Sequence, residues 1–244
     1  MHQAIQQLSP QTAKPIHLPD GSKEFEDFVY LLSHDVRSSV RALVELPQWI
    51  EEDLRDEGHA IMGSLKDNMR LMNTHTSRLD RMLVDLLAYS RVGRRQAVTQ
   101  VCLSSALETV IDEIVVPNWV NIKTEFHLST LHIGERDILT LLHALVSNAV
   151  KHHVGGEALI EIFSESTDAG QVLHVRDDGP GIPAKFREKV MEAMTTLRPR
   201  DEVEGSGMGL AIARKIVTLY NGTIRFVDDE GRNGTHLEMV FQHS

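Results

Sequence analysis

Four short stretches of this 244-residue chain hold side chains whose types and spacing suit chemistry. LLSHDVRSSV (31–40) sets His34 beside Asp35, with Arg37 and Ser38 following about one helical turn on. SNAVKHH (147–153) places Asn148 and Lys151 one turn apart, so on a helix they share a face. A carboxamide oxygen there can join a Mg²⁺ shell while the ammonium meets phosphate charge. VRDDGPGIP (175–183) ends a strand-like run with carboxylates followed by two glycines. Asp177 can accept a hydrogen bond from an exocyclic amine, and Gly179 and Gly181 let backbone approach a flat base; an ordinary Asp-Gly turn is the alternative. GSGMGLAIARKIV (205–217) leads Gly205, Gly207 and Gly209 into a helix whose first-turn amides point outward, an anion cradle for phosphates. A dinucleotide fold would want that motif after its first strand, whereas here it comes late.

The elements that must carry these residues follow from apolar spacing. Phe25, Phe28, Leu32, Val36, Val40, Leu43, Leu46, Ile50 and Leu54 step by three and four, which predicts one long helix. At about 100° per residue His34 lies roughly 200° from both Leu32 and Val36, so it points away from that stripe. Pro47 should kink this helix. After the turn-like Asp56-Glu57-Gly58-His59, the stepping resumes from Leu65 to Ser90, and Arg91-Val92-Gly93-Arg94-Arg95 ends the second, antiparallel helix with glycine and positive charge. A lone two-helix hairpin leaves the outer edge of each stripe in water, and a four-helix bundle made by two chains removes that exposure. Beyond residue 97 the pattern predicts strands around 98–102, 122–127, 130–133, 157–165, 171–177, 223–228 and 235–242, with helices at 104–116, 135–153 and 207–221. This is the texture of an α/β sandwich. His152 and His153 read as solvated helix-end residues.

Composition limits the partners. A chain 41% hydrophobic and 25% charged can bury real cores, and a formal net charge of −10 argues against nucleic acid. The single cysteine, Cys102, precludes an internal disulfide, reads as a buried small apolar residue and fits a reducing cytoplasm. No apolar run is long enough for a membrane span, and the N-terminus lacks a secretory signal pattern. Residues 1–22, with Pro10, Pro15 and Pro19, read as a flexible arm.

With these motifs in view, the chain resembles the catalytic core of sensor histidine kinases. SHDVR (33–37) resembles that family's H box, SNAVK (147–151) its N box, DDGPGI (177–182) its G1 box and GSGMGL (205–210) its G2 box. The stretch 197–217 is similar to bacteriophytochrome-type kinases. The resemblance implies an α+β chain: an arm over 1–22, a hairpin over 23–93 that dimerises into the four-helix bundle and accepts phosphate, and a GHKL (Bergerat-type) ATP-binding sandwich over 97–244. It implies ATP and Mg²⁺ as ligands, transfer of the γ-phosphoryl to His34, and relay to an aspartate of a response-regulator receiver domain. Asp35 would take the ring proton or fix its tautomer; Arg37 would meet phosphate oxygens or form a salt bridge within the bundle. Ser38 stands where the family orients water for dephosphorylating the receiver. Asn148 would hold the metal, Lys151 would assist, Asp177 would read adenine and the 205–209 amides would wrap the phosphates. The long loop 184–204 would be a nucleotide lid, with Arg198 and Arg200 reaching phosphates. Ser39, Ala144 and Met194 depart from the family's usual Pro, Asn and aromatic residues. The signal would come from a separate sensor protein in trans or from a longer protein of which this is the core. Two other readings are a histidine phosphotransfer protein with reduced kinase activity and a GHKL ATPase of another class.

Overall fold

A computed structural model describes residues 22–94, 96–197, 205–229 and 231–242, excepting the side chains of 22–29 and 32–34. The arm expected over 1–22 falls outside the described residues, except that Ser22 already opens the first helix.

Helix α1 (Ser22–Asp56) runs unbroken through Pro47, and α2 (Ser64–Arg91) returns beside it. Contacts of Arg37 with Asp80 and of Tyr30 with Arg91 fix the antiparallel register. The chain leaves α1 through Gly58, whose φ of 76° suits a residue without Cβ. Val40, Met69 and Leu87 are buried between the helices, whereas Val36, Leu43, Leu46, Ile50, Leu65, Met72 and Leu79 stay more than a third exposed. Two cylinders touch along one line, so each apolar stripe has only its inner edge covered.

The rest of the chain alternates strands and helices: β1 (Val98–Cys102), α3 (Leu103–Glu113), β2 (Val120–Phe126), β3 (Thr130–Gly134), α4 (Glu135–His152), β4 (Ala158–Thr167) and β5 (Gly170–Asp177). After a 3₁₀ turn at Ala184–Phe186 come α5 (Arg187–Val190), α6 (Gly209–Leu219), β6 (Thr223–Val227) and β7 (His236–Phe241). A five-stranded sheet has the order β2-β4-β5-β7-β6, parallel between β2 and β4 and antiparallel elsewhere; β1 and β3 form a separate antiparallel pair. Alternation along the strands sends Ile160, Ile162, Leu173, Val175, Leu237 and Met239 to one face. There they meet the apolar sides of α3, α4 and α6 in a single core. The opposite face carries Glu161, Arg176, Glu238 and a buried imidazole pair, His174 Nδ1 lying 3.0 Å from His236 Nε2.

The hairpin joins this sandwich through a knot built on the buried Asp137. Gly93 N–H, at φ 77°, donates to both oxygens of Asp137 at 3.1 and 3.2 Å, and Tyr220 O–H donates to Asp137 Oδ2 at 2.7 Å. Burial and that bond push the Tyr220 phenol up to about 12. A side chain at Gly93 would collide with Leu219, its Cβ falling 2.5 Å from Leu219 Cδ2.

Cys102 is exposed, contrary to its reading as a core residue. It ends the two-stranded sheet just before α3, with its Sγ 3.2 Å from the Ser104 hydroxyl, which together with neighbouring Ser105 brings the thiol down to about 7. Among the described residues, no helix is long and apolar enough to cross a membrane.

Candidate active site

Helix α4 supplies the first part of the site. Its apolar side, Ile138, Leu141, Leu142, Leu145 and Ala149, is fixed on the sheet, which leaves Asn148 partly open and Lys151 exposed in the last turn. The Asn148 carboxamide lies against the start of α6: a Cβ placed on Gly209 would be 3.4 Å from both Asn148 Oδ1 and Nδ2. Two motifs 61 residues apart therefore share one wall, bounded also by the Ala144 carbonyl, 3.6 Å from the same point.

The second wall is the end of β5. Asp177 Oδ1 accepts Gly179 N–H at 2.9 Å and Thr235 N–H at 3.2 Å, and the Thr235 side chain adds a further hydrogen bond to the carboxyl. Burial raises the Asp177 carboxyl above the usual carboxylate range, with the nearby Asp178 charge adding to it, while the two backbone donors and the Thr235 side chain act against them. Gly181 sits at φ 71°, and a Cβ there would approach the Gly234 carbonyl to 2.7 Å, so the turn closes only with glycine.

The glycine-rich loop forms the third side. Gly207 has φ 75°, and a Cβ there would strike the Thr195 carbonyl at 2.5 Å. Ser206, between two of the glycines, is buried; its hydroxyl donates to Asp85 Oδ2 of α2 at 2.5 Å and accepts Met208 N–H at 3.1 Å. Lys215 Nζ donates to the Tyr89 carbonyl at 3.0 Å, so α6 and its leading loop are tied to the end of α2. These groups suit an adenine nucleotide: a half-buried carboxylate for the base amine, glycines at positions where a side chain would collide, and a carboxamide oxygen beside one of them. For Mg²⁺, one carboxamide oxygen plus phosphate oxygens is an ordinary donor set.

On α1, Asp35 and Ser38 are exposed; Ser38 Oγ donates to the Asp35 carbonyl at 2.8 Å. Arg37 Nε faces Asp80 Oδ1 at 3.4 Å, the salt bridge within the hairpin rather than an open phosphate ligand. The His34 side chain, Arg198 and Arg200 lie outside the described residues. Met194, where the family has an aromatic, takes φ 62° and is half exposed.

Three participants escaped sequence reasoning. Thr235 reaches Asp177 only through the β5–β7 register; Asp85 is one of three aspartates on α2; Ser206 could have been noticed as the polar residue inside the glycine run. His153 departs from its solvated reading: its side chain is 9% exposed, because Trp119 stacks on it at 5.7 Å between ring centres. His152 is exposed as expected.

Comparison with known proteins adds the family context. The family described as "Histidine kinase-, DNA gyrase B-, and HSP90-like ATPase" matches residues 134–244. Cyanobacterial phytochrome A of Nostoc is 27% identical over 89% of this chain and 28% of its own length. The signal transduction histidine-protein kinase AfsQ2 of Streptomyces coelicolor is 28% identical over 81% of this chain and 38% of its own. The chain thus spans well under half the length of these relatives. In fold it is similar to full-length ShkA, crystallised in complex with AMPPNP, with a TM-score of 0.64 and 19% identity over 90% of this chain and 46% of that one. Residues 134–244 thus match that ATPase family, and the chain is similar to a signal transduction histidine-protein kinase and a phytochrome along both its helical and its sandwich parts.

Proposed function

We propose that the chain phosphorylates itself on His34 with ATP and passes the phosphoryl group to an aspartate of a response-regulator receiver domain. Residues 23–93 are the dimerising phosphoacceptor unit and 97–244 the ATP-binding unit. The observation that carries this reading is that α4 touches both other motif segments, Asn148 lying against Gly209 and the His152 carbonyl backing Gly179 of the Asp177 turn.

Asp177 Oδ2 accepts the adenine amine, and the amides around Gly205–Gly209 receive the phosphates at the start of α6. Asn148 supplies a metal ligand and Lys151 a counter-charge; bound Mg²⁺ neutralises triphosphate charge. Arg198 and Arg200 are assigned to the lid. A neutral His34 ring nitrogen attacks the γ-phosphorus, the N–P bond forming as the bond to the ADP oxygen breaks, and Asp35 takes the proton shed by the ring. Arg37 holds α1 to α2 through Asp80. The Ser38 hydroxyl, anchored on the Asp35 carbonyl, keeps lone pairs with which to orient water at the receiver's phosphoaspartate.

The exposed stripe on both helices supports a homodimer. Seven large apolar side chains named above remain partly in water, and each is worth roughly 1.5 to 3 kcal/mol when fully buried. Sedimentation equilibrium should find a dimer at micromolar concentration, and a persistent monomer refutes that part.

The reaction is tested by incubating the chain with γ-labelled ATP and Mg²⁺. An acid-labile, base-stable label should appear and be lost in His34→Gln. Undiminished labelling of that variant overturns the assignment.

A further inference from the structure

We propose that His153 is a positioning residue for the Asp177–Gly181 turn, gripping Asp178 through a hydrogen bond that forms when its imidazole is protonated and thereby strengthening adenine-nucleotide binding in mild acid. This rests on the assignment of Asp177 as the adenine acceptor.

His153 caps the C-terminus of α4, the end whose free carbonyls favour a cation. Its Nε2 lies 3.0 Å from the Gly155 carbonyl, which can only accept, so the ring carries a proton there. In the neutral ring Nδ1 is then a bare lone pair. Among the described residues that nitrogen is fully enclosed and has no hydrogen-bond partner, and Asp178 Oδ1 lies 3.5 Å from it. A lone pair facing a carboxylate gains nothing, and a second proton turns the pair into N⁺–H···O⁻.

The surroundings fit a switchable bond. Trp119, from the connection leading into β2, stacks on the ring at 29° and holds its plane, and Asp178 is the charged group facing it from the end of β5. Lys151 and His152, on its own helix, are exposed. Asp178 is already placed by Leu159 N–H, which it accepts at 2.9 Å, so it can be gripped without being moved far. This end of α4 also backs the turn itself, since a Cβ on Gly179 would lie 4.0 Å from the His152 carbonyl. A cation at His153 offsets the Asp178 charge, which is one of the causes that disfavour ionised Asp177, and so leaves Asp177 a better acceptor for the base.

The test measures ADP affinity of the whole chain by calorimetry from about pH 8 to about pH 6. Asp178 is 45% exposed, so relative to His153→Phe the parent should gain about twofold to fivefold in affinity over that interval. The comparison cancels the nucleotide's own titration. Parallel pH profiles overturn the proposal. Asp178→Asn, at an exposed position, should flatten the profile like His153→Phe and serves if the latter does not fold. A second readout needs no nucleotide: in a Trp49→Phe background, Trp119 fluorescence should be quenched by the protonated ring as pH falls, and the quenching over the same interval should vanish with Asp178→Asn. Unchanged quenching in that variant also overturns the proposal. Absence of ADP binding at every pH would instead refute the nucleotide site, with the fluorescence arm still judging the His153–Asp178 bond.

Discussion

Replacing Asp177 with asparagine separates the proposed role of the residue from its cost to the fold. The Asn oxygen can keep both backbone donors, Gly179 N–H and Thr235 N–H, in place of Asp177 Oδ1. What changes is the other atom: an N–H₂ group then faces the adenine amine, donor against donor. A hydrogen bond to a charged group is worth about 1.5 to 3 kcal/mol, which predicts that the Kd for ADP rises roughly 10- to 150-fold. Stability should move the other way. Burial raises the folded-state value of this carboxyl, so its contribution is fully present below the unfolded carboxylate value of about 3.9 and is lost as pH rises through the folded value. At neutral pH the ionised group therefore burdens the nucleotide-free fold, and Asp177→Asn should melt at the same temperature as the parent or higher. Calorimetric titration with ADP, beside thermal unfolding without nucleotide, measures both. A Kd within twofold of the parent, or a Tm several degrees lower, refutes the reasoning.

Asn148→Ala should leave the Tm close to that of the parent, because among the described residues no hydrogen bond ties that partly open side chain to the core, while Mg²⁺-dependent labelling falls by orders of magnitude; calorimetry and kinetics matching the parent would refute this. Gly207→Ala should lower the Tm and weaken ADP binding, since its left-handed backbone costs a side chain about 1 to 3 kcal/mol and its Cβ would meet the Thr195 carbonyl at 2.5 Å, whereas Gly205→Ala, with open space around it, should fold like the parent. Burial, and then the neighbouring His236, hold His174 below the ordinary imidazole range, so its contribution to stability is present above the unfolded value of about 6.5 and is lost as pH falls through the folded one. Urea unfolding should thus show a loss as pH falls below about 6.5 that shrinks in His174→Gln.

The sequence by itself determined what depends on neighbours along the chain. Steps of three and four from Phe25 to Leu54 specify a helix wherever it packs, and Gly205, Gly207 and Gly209 specify a loop that backbone can line. The same local logic placed Asn148 and Lys151 on one helix face. It failed where the environment comes from distant segments. Thr235 serves Asp177 because β7 pairs antiparallel with β5, a register set across some sixty residues by which sheet faces meet the core. Cys102 is exposed because β1 pairs only with β3 outside the main sheet, and His153 is enclosed because Trp119 arrives from before β2. Arg37 turns to Asp80 because the hairpin brings the two helices into that register. Periodicity fixes which side of an element is apolar, but the partner of a polar side chain is chosen by long-range pairing, whose free energy is expressed only when the whole sheet and its helices assemble.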